Sequence, residues 1–302
     1  MPRYCIEEMK LEQWHIWALF SVIIVIVIGL FFLNKNIEMF ETKQPVIPLH
    51  IYQTWHTKKL PPKMKECVEK LKKDNPEFEH HLYDIEDCRK FIGKHFDKEV
   101  LDAYDKLKPL AYKADLWRYC VLYKKGGIYL DIKYQCEPGF KLIELIDKEY
   151  FMLDRPYGDL SMTIKKNLEL IKDIDNYISL STSVLWKNKN ISIANGFIIC
   201  KPKNKLMYEC IQNCVKNIKN DYYGFNPLYP TGPGLLGDLY FKGDFSKIDT
   251  DINIFHSING KCILTRKRVI FKYYDGYRYE QTKNSNIKHY GILWDEKNIY
   301  NN

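Results

Sequence analysis

An α/β domain with a mainly parallel sheet, set behind an N-terminal transmembrane helix, is what this sequence predicts. Three observations carry the prediction. Strand-like and helix-like patterns alternate from residue 46 onward, the order expected when helices pack on a largely parallel sheet. Residues 16–33 hold no charged side chain and consist mostly of Ile, Val, Leu and Phe, which with Trp14 is long enough to cross a bilayer as a helix. Gly126-Gly127-Ile128-Tyr129-Leu130-Asp131 reads as a helix stop, a short buried strand and a carboxylate at the strand end, where ligands of open α/β sheets bind.

The 302 residues are 46% hydrophobic and 28% charged, the balance of a globular chain rather than a disordered one. Divided by pattern, the chain has a tail (residues 1–13), an anchor (14–33), a stem (34–45) and a globular α/β domain (46–302). Trp14 and Trp17 stand where an interfacial aromatic belt would lie. The apolar run is followed by Asn34-Lys35-Asn36 rather than by a small-x-small cleavage site, which argues against a removable signal peptide. Arg3 and Lys10 before the run balance Lys35 and Lys43 after it, so charge alone leaves the orientation open.

A net charge of +8 is spread over scattered lysines with no run of five basic residues. That pattern fits a solvated surface and no nucleic-acid module. Of nine Cys, eight follow the anchor. The even count allows disulfides without specifying a pairing, and the lack of any Cys-x-x-Cys argues against a zinc site. One sequon, Asn190-Ile191-Ser192, is present. Aromatics reach 15%, with 23 Tyr. Tyr and Trp suit sugar rings, although a Lys-, Asn- and Ile-rich chain carries many Tyr in any case.

In order, the domain opens with a strand over 49–53 that ends at Gln53-Thr54-Trp55. A helix from Pro61-Pro62 to residue 73 follows, with proline at its first positions. Residues 79–84 predict a second strand and 85–96 a helix. Over 107–124, Leu110, Ala114, Trp117, Val121 and Leu122 fall at helical spacing, which puts Asp115 and Arg118 on one face. Beyond Asp131 come strands at 150–153 and 194–201, a helix at 206–218, and the turn Thr231-Gly232-Pro233-Gly234 opening a helix over 235–240. Late strands fall near 252–255 and 269–271. No repeat or low-complexity tract occurs.

Four pieces in this order resemble the DXD-motif sugar transferases of glycosyltransferase family 32. They are Ile51-Tyr52-Gln53-Thr54-Trp55; Ala114-Asp115-Leu116-Trp117-Arg118-Tyr119 with Gly126 to Asp131; Asn195-Gly196-Phe197; and Thr231-Gly232-Pro233. The second is the most specific. The resemblance implies a GT-A fold, a Rossmann-like nucleotide half merged with an acceptor half. It also implies transfer of a hexose from a nucleotide-sugar, GDP-mannose or a UDP-sugar, to a hydroxyl of a glycan, glycolipid or glycoprotein, with retention at the anomeric carbon. Mn²⁺ or Mg²⁺ would be the cofactor. A type II membrane protein of the Golgi or ER, catalytic domain in the lumen, would be the setting.

Carried over residue by residue, the resemblance makes Asp131 and Asn195 catalytic, and Lys133, standing at the motif's second Asp, is counted as catalytic beside them. It puts Tyr52, Gln53, Thr54, Trp55, Asp115, Arg118, Gly127, Tyr129, Gly196, Thr231, Gly232 and Trp294 around the nucleotide-sugar. It makes Asp131 and His289 the candidate metal ligands, with Asp154 and Asp159 as lesser sugar contacts. The departure is Asp131-Ile132-Lys133, where the family's motif has a second Asp. Three accounts of Lys133 stand open: a built-in cation for the leaving diphosphate, a neighbour of a metal held by Asp131 and His289, or the mark of an inactive relative. The last corresponds to a membrane-anchored protein that binds a nucleotide-sugar or glycan without turnover. A glycoside hydrolase would need two carboxylates flanking the sugar, which this context does not offer.

Overall fold

The computed structural model describes residues 24, 26, 46–154, 192–242, 254–258, 261–264, 268–284 and 288–301. The chain divides at Pro45/Val46 into two units. Of the expected anchor, only Ile24 and Ile26 are described, both helical; the tail, the remainder of the anchor and the stem lie outside the described residues. No described helix is long and apolar enough to cross a membrane. Asp159 and the Asn of the sequon also lie outside them.

The second unit runs β1 (His50–Thr54), α1 (Pro62–Asp74), β2 (Glu79–Tyr83), α2 (Ile85–His95), α3 (Lys98–Lys106), α4 (Leu110–Lys125), β3 (Gly127–Leu130) and β4 (Tyr134–Cys136). It continues with β5 (Tyr150–Leu153), β6 (Ile193–Cys200), α5 (Lys205–Lys219), α6 (Pro233–Lys242), β7 (Ile254–Ile258), β8 (Lys261–Leu264), β9 (Arg268–Tyr273), α7 (Tyr277–Asn284) and α8 (Tyr290–Asp295). Helices start where the chemistry predicts. Asp84 accepts from the Asp87 amide at 2.9 Å and Asp87 answers to the Asp84 amide, a reciprocal cap. Asp97 caps α3 by accepting from the Val100 amide; this short helix was not legible in the apolar spacing.

The strands form one sheet in the order β2-β1-β3-β6-β5-β7-β8-β9-β4. β1 pairs in parallel with β2 and β3, and β5 with β7; the other pairings are antiparallel. Followed across the sheet, these pairings leave β4, β6 and β8 opposed to the rest. The sheet is therefore mixed, with a parallel β2-β1-β3 end and most of its strands running one way, as the mainly parallel sheet read from the alternation has it. Both faces are covered. Tyr52, Tyr129, Phe151 and Ile198 point to a core shared with α2–α6. Ile51, Ile128, Phe197 and Ile199, one residue out of phase, point to a second core with Leu71 of α1 and Leu142, as the two-residue period of a strand requires. β6 is buried at every position, the signature of a strand covered on both faces.

The described cysteines 67, 88, 120, 136, 200, 210 and 214 are buried free thiols. Burial pushes Cys67, Cys88 and Cys136 up to about 12, which leaves them as small core hydrophobes. No disulfide is formed among the described residues.

The turn from α4 into β3 sets the depth of the site. Gly126 caps α4 at φ 65° and Gly127 follows at φ 107°. A Cβ on Gly127 would fall 2.7 Å from the His50 carbonyl oxygen, so β3 lies against β1 only because that atom is absent. Gly127→Ala should lower unfolding free energy by about 1–3 kcal/mol, the range for one strained backbone position, read as a lower denaturant midpoint at unchanged slope.

Candidate active site

The parallel pairing of β1 with β3 brings Thr54-Trp55 and Asp131 to the same edge of the sheet, the carboxyl ends of these strands. β6 runs antiparallel beside β3 with Leu130 opposite Phe197, so Asn195-Gly196 meets Asp131. The ladder continues one step further, the Asp131 amide donating to the Gly196 carbonyl at 2.8 Å. α4, buried on nearly every side, carries Asp115 and Arg118 beneath this junction.

Arg118 is 5% exposed and fully engaged. Its guanidinium lies 3.2 Å from Asp115 Oδ1 and 3.5 Å from Asp131 Oδ1. It donates to the Asn195 carbonyl at 2.6 Å and to the Ala114 carbonyl at 3.1 Å, and it stacks 4.3 Å over the Tyr129 ring. Asp115 also accepts from Asn195 Nδ2 and Thr231 Oγ1, both at 2.9 Å. Asn195 gives a further amide hydrogen to the Tyr119 hydroxyl at 3.0 Å, and Tyr119 donates to the Thr231 carbonyl. Burial holds the Asp115 carboxyl above its usual value, against the pull of Arg118, Thr231 and Asn195.

Asp131 stands above this layer with its side chain 22% exposed. Tyr129 donates to Oδ1 at 2.9 Å, and Lys133 Nζ sits 2.7 Å from Oδ2. A Cβ on Gly196 would fall 2.6 Å from that same Oδ2, so the carboxylate lies flat on the neighbouring strand. Lys133 is flanked by the rings of Tyr134 and Tyr273, at 5.2 and 5.1 Å, within cation–π range. Burial opposes the Lys133 ammonium, but Asp131 and the phenols of Tyr273 and Tyr277 leave its pKa raised. Burial likewise works to raise Asp131, but Lys133 and Arg118 reverse it and hold the carboxyl below its usual value.

Other sequence-predicted residues fall elsewhere. Tyr52 is buried in the helical core and stacks on His81 with ring centroids 5.0 Å apart, away from the strand end. Gln53, 1% exposed, contacts the His80 Nε2 at 2.8 Å, and Thr54 donates to the Tyr83 carbonyl. Trp55 packs beside the Met64–Tyr277 cluster. Thr231 and Gly232 come to the site through Asp115. His289 caps α8, accepting from the Gly291 amide at 3.1 Å. Trp294 donates its indole N–H to the Tyr223 carbonyl at 2.6 Å and holds α8 to that loop. The structure thus uses His289 and Trp294 to build the C-terminal helix. From α8 it is Tyr290, packed on Tyr112, that comes within electrostatic reach of Asp115, Asp154 and Lys133. Tyr290 had no motif to mark it. Tyr273 and Tyr277 were equally silent in a Tyr-rich chain, and Tyr119, although inside the second motif piece, carried no assigned role.

Transferases of this DXD family generally use a divalent ion and a nucleotide-sugar. The residues around Asp131 do not fit such an ion. Among the described residues one carboxylate is offered there, its oxygens engaged by an ammonium, a guanidinium and a phenol, and the position of a second hard ligand holds Lys133. Hard divalent ions take several oxygen ligands, and the nearby ammonium opposes a cation by about 1–4 kcal/mol at 4 Å, depending on effective dielectric.

Truncating Asp115 to Ala should cost about 3–5 kcal/mol of stability, because a buried guanidinium loses its main counter-charge; the Asp115→Ala/Arg118→Met double variant should recover part of it in denaturant titrations. Asp131 has the opposite sign of pH behaviour. A carboxyl depressed by folding binds fewer protons folded than unfolded, so its stabilisation is present at neutral pH and lost as pH falls through and below the usual carboxylate range. Asp131→Asn should remove that part of the acid-side loss, seen by comparing denaturant midpoints from pH 7 down to about pH 3.

Comparison with known proteins agrees with the motif reading. Residues 61–152 match the family described as "Glycosyltransferase sugar-binding region containing DXD motif". The chain is 35% identical over 105 residues to inositol phosphoceramide mannosyltransferase 3 of Schizosaccharomyces pombe, covering 33% of this chain and 28% of that protein. It is 37% identical over 93 residues to an uncharacterised glycosyltransferase of Acanthamoeba polyphaga mimivirus, covering 30% and 37%. A longer match, 29% identical over 214 residues, is to the initiation-specific alpha-1,6-mannosyltransferase of Candida albicans, covering 65% of this chain and 52% of that one. In each case the chain spans well under two thirds of the relative's length. The segment from α1 to β5 is therefore the part of the chain that is similar to the sugar-binding region of the DXD-motif glycosyltransferases, and it contains Asp115, Arg118 and Gly126 to Asp131, which carry the family-32 resemblance.

Proposed function

We propose that this chain is a glycosyltransferase of GT-A type that moves a hexose from a nucleotide-sugar to a hydroxyl of a glycan or glycolipid, with retention. The observation that carries the reading is the Asp131–Lys133 pair at the carboxyl edge of β3, 2.7 Å apart, inside the family-matched segment. The relatives named as mannosyltransferases favour mannose from GDP-mannose over a UDP-sugar. The apolar run at 14–33 supports a type II anchor, and a Golgi-like lumen is the setting we assign.

Departure of a nucleoside diphosphate leaves negative charge that the site must meet as it develops. In our reading Lys133 supplies it. The ammonium is held charged, partly exposed and oriented by two tyrosine rings. Asp131 keeps it in place and accepts from donor hydroxyls. Asp115, Arg118 and Asn195 act as positioning residues: the Asn195 amide hydrogens already go to Asp115 and Tyr119, so its part is to fix strand β6 under the sugar. Acceptor deprotonation falls to the leaving diphosphate, since no second carboxylate is required for front-face retention.

The decisive measurement is release of nucleoside diphosphate from a donor panel by the full-length chain in detergent, with EDTA or Mn²⁺. Turnover should survive EDTA. Lys133→Met should lower kcat by roughly 10²–10³, the loss typical of one charge-stabilising donor, with a smaller change in KM. Lys133→Asp should be slow in EDTA and regain rate with Mn²⁺. Wild-type turnover that dies in EDTA and returns with Mn²⁺ would sink the built-in cation. Saturable donor binding without release would instead leave a binding protein on a transferase scaffold.

A further inference from the structure

At the opposite edge of the sheet from Asp131, three potential ligands converge on one point. His50 opens β1 and Glu79 opens β2, paired in register, with His81 two residues along. The two-residue strand period puts all three on one face. His50 Nδ1 lies 3.2 Å from His81 Nε2 and 3.3 Å from Glu79 Oε2, and His81 Nε2 lies 3.6 Å from Glu79 Oε1. A tetrahedral ion bound at about 2.0–2.1 Å spaces its ligand atoms about 3.3 Å apart. The observed triangle has that size.

We propose that His50, Glu79 and His81 form a binding site for a borderline transition-metal ion, Zn²⁺ being the natural occupant, with solvent as the fourth ligand. Imidazole with a carboxylate selects Zn²⁺, Co²⁺ or Ni²⁺ over Mg²⁺ and Ca²⁺. The ligands are reachable: the side chains of His50, Glu79 and His81 are 34%, 67% and 25% exposed. They are also oriented, the His81 ring lying nearly parallel to Tyr52 at 5.0 Å. At His81 the attraction that Glu79 offers a positive charge is larger than the repulsion from Lys125. The lack of any Cys-x-x-Cys, which argued against a zinc site, bears only on thiolate ligands and left this His-Glu-His set unseen. β2 is the outermost strand beside β1, so an ion here pins the sheet edge. The site stands apart from the donor site and does not depend on the reading of its chemistry.

The test uses the full-length chain in detergent, stripped with chelator and dialysed. Zn²⁺ at a hundredfold excess over its Kd should raise Tm by roughly 5–10 °C, and Mg²⁺ should not. Co²⁺ should give the visible absorption of a tetrahedral site at one equivalent. His50→Gln and His81→Gln should lose both responses and keep the stripped wild-type Tm. The more exposed Glu79→Gln, which carries little folding risk, should weaken binding at least tenfold, in line with a lost metal ligand. The absence of a one-equivalent Co²⁺ spectrum in folded wild type, or an unchanged spectrum in all three variants, would overturn the proposal and leave a hydrogen-bonded His-His-Glu cluster only.

Discussion

A guanidinium buried to 5% exposure must be neutralised on the spot, and the upper half of this molecule is arranged to do so. Arg118 draws Asp115 from its own helix, the Asn195 carbonyl from β6 and Asp131 from the end of β3. Each of these groups brings a partner of its own: Thr231 on Asp115, Tyr119 on Asn195, Tyr129 and Lys133 on Asp131. A buried charge without such partners would cost several kcal/mol. The network therefore fixes the relative heights of α4, β3, β6 and the turn before α6, and the shape of the site follows from it.

Charge accounting explains why a lysine is acceptable in a motif built for metal. Two aspartates with a divalent ion carry no net charge, and one aspartate with one ammonium carries none either. Under the proposed function, Asp131-Ile132-Lys133 thus keeps the neutral resting state of the motif it resembles, with the cation made part of the chain. What changes is geometry. An ion can bridge two phosphate oxygens at once, whereas an ammonium offers three directed hydrogens on a jointed stem. The rings of Tyr134 and Tyr273 remove much of that freedom.

The parts of this site legible in the sequence were those governed by local rules. Helical spacing put Asp115 and Arg118 on one face, and the paired glycines marked the end of α4 and the entry to β3. Asn195-Gly196 stood out as part of a short motif inside the expected 194–201 strand, yet its contact is with a carboxylate sixty-odd positions earlier, because only a strand pairing reveals that Gly196 faces Asp131. The expectation for Tyr52 failed for a related reason. Its place in a motif suggested ligand contact, while the alternation of β1 turns it into the helical core. His289 and Trp294 lay in a segment whose ring and indole are spent on helix capping and loop anchoring, uses that residue type alone does not disclose. β4, at three residues, is too short for any periodicity to register.

The grip on Lys133 has a kinetic side. Tyr134 belongs to β4 and Tyr273 to β9, and these strands pair with each other across almost half the chain. Contacts of such sequence separation form late, since the loop they close must be ordered first. The Asp131 end of the site can assemble with α4, β3 and β6, but the ammonium is oriented only when the last strand has docked. A newly made chain would thus acquire the Asp115–Arg118–Asn195 framework before the oriented Lys133 ammonium. The same edge, if it opens first on warming, would silence the protein while most of its core stayed intact.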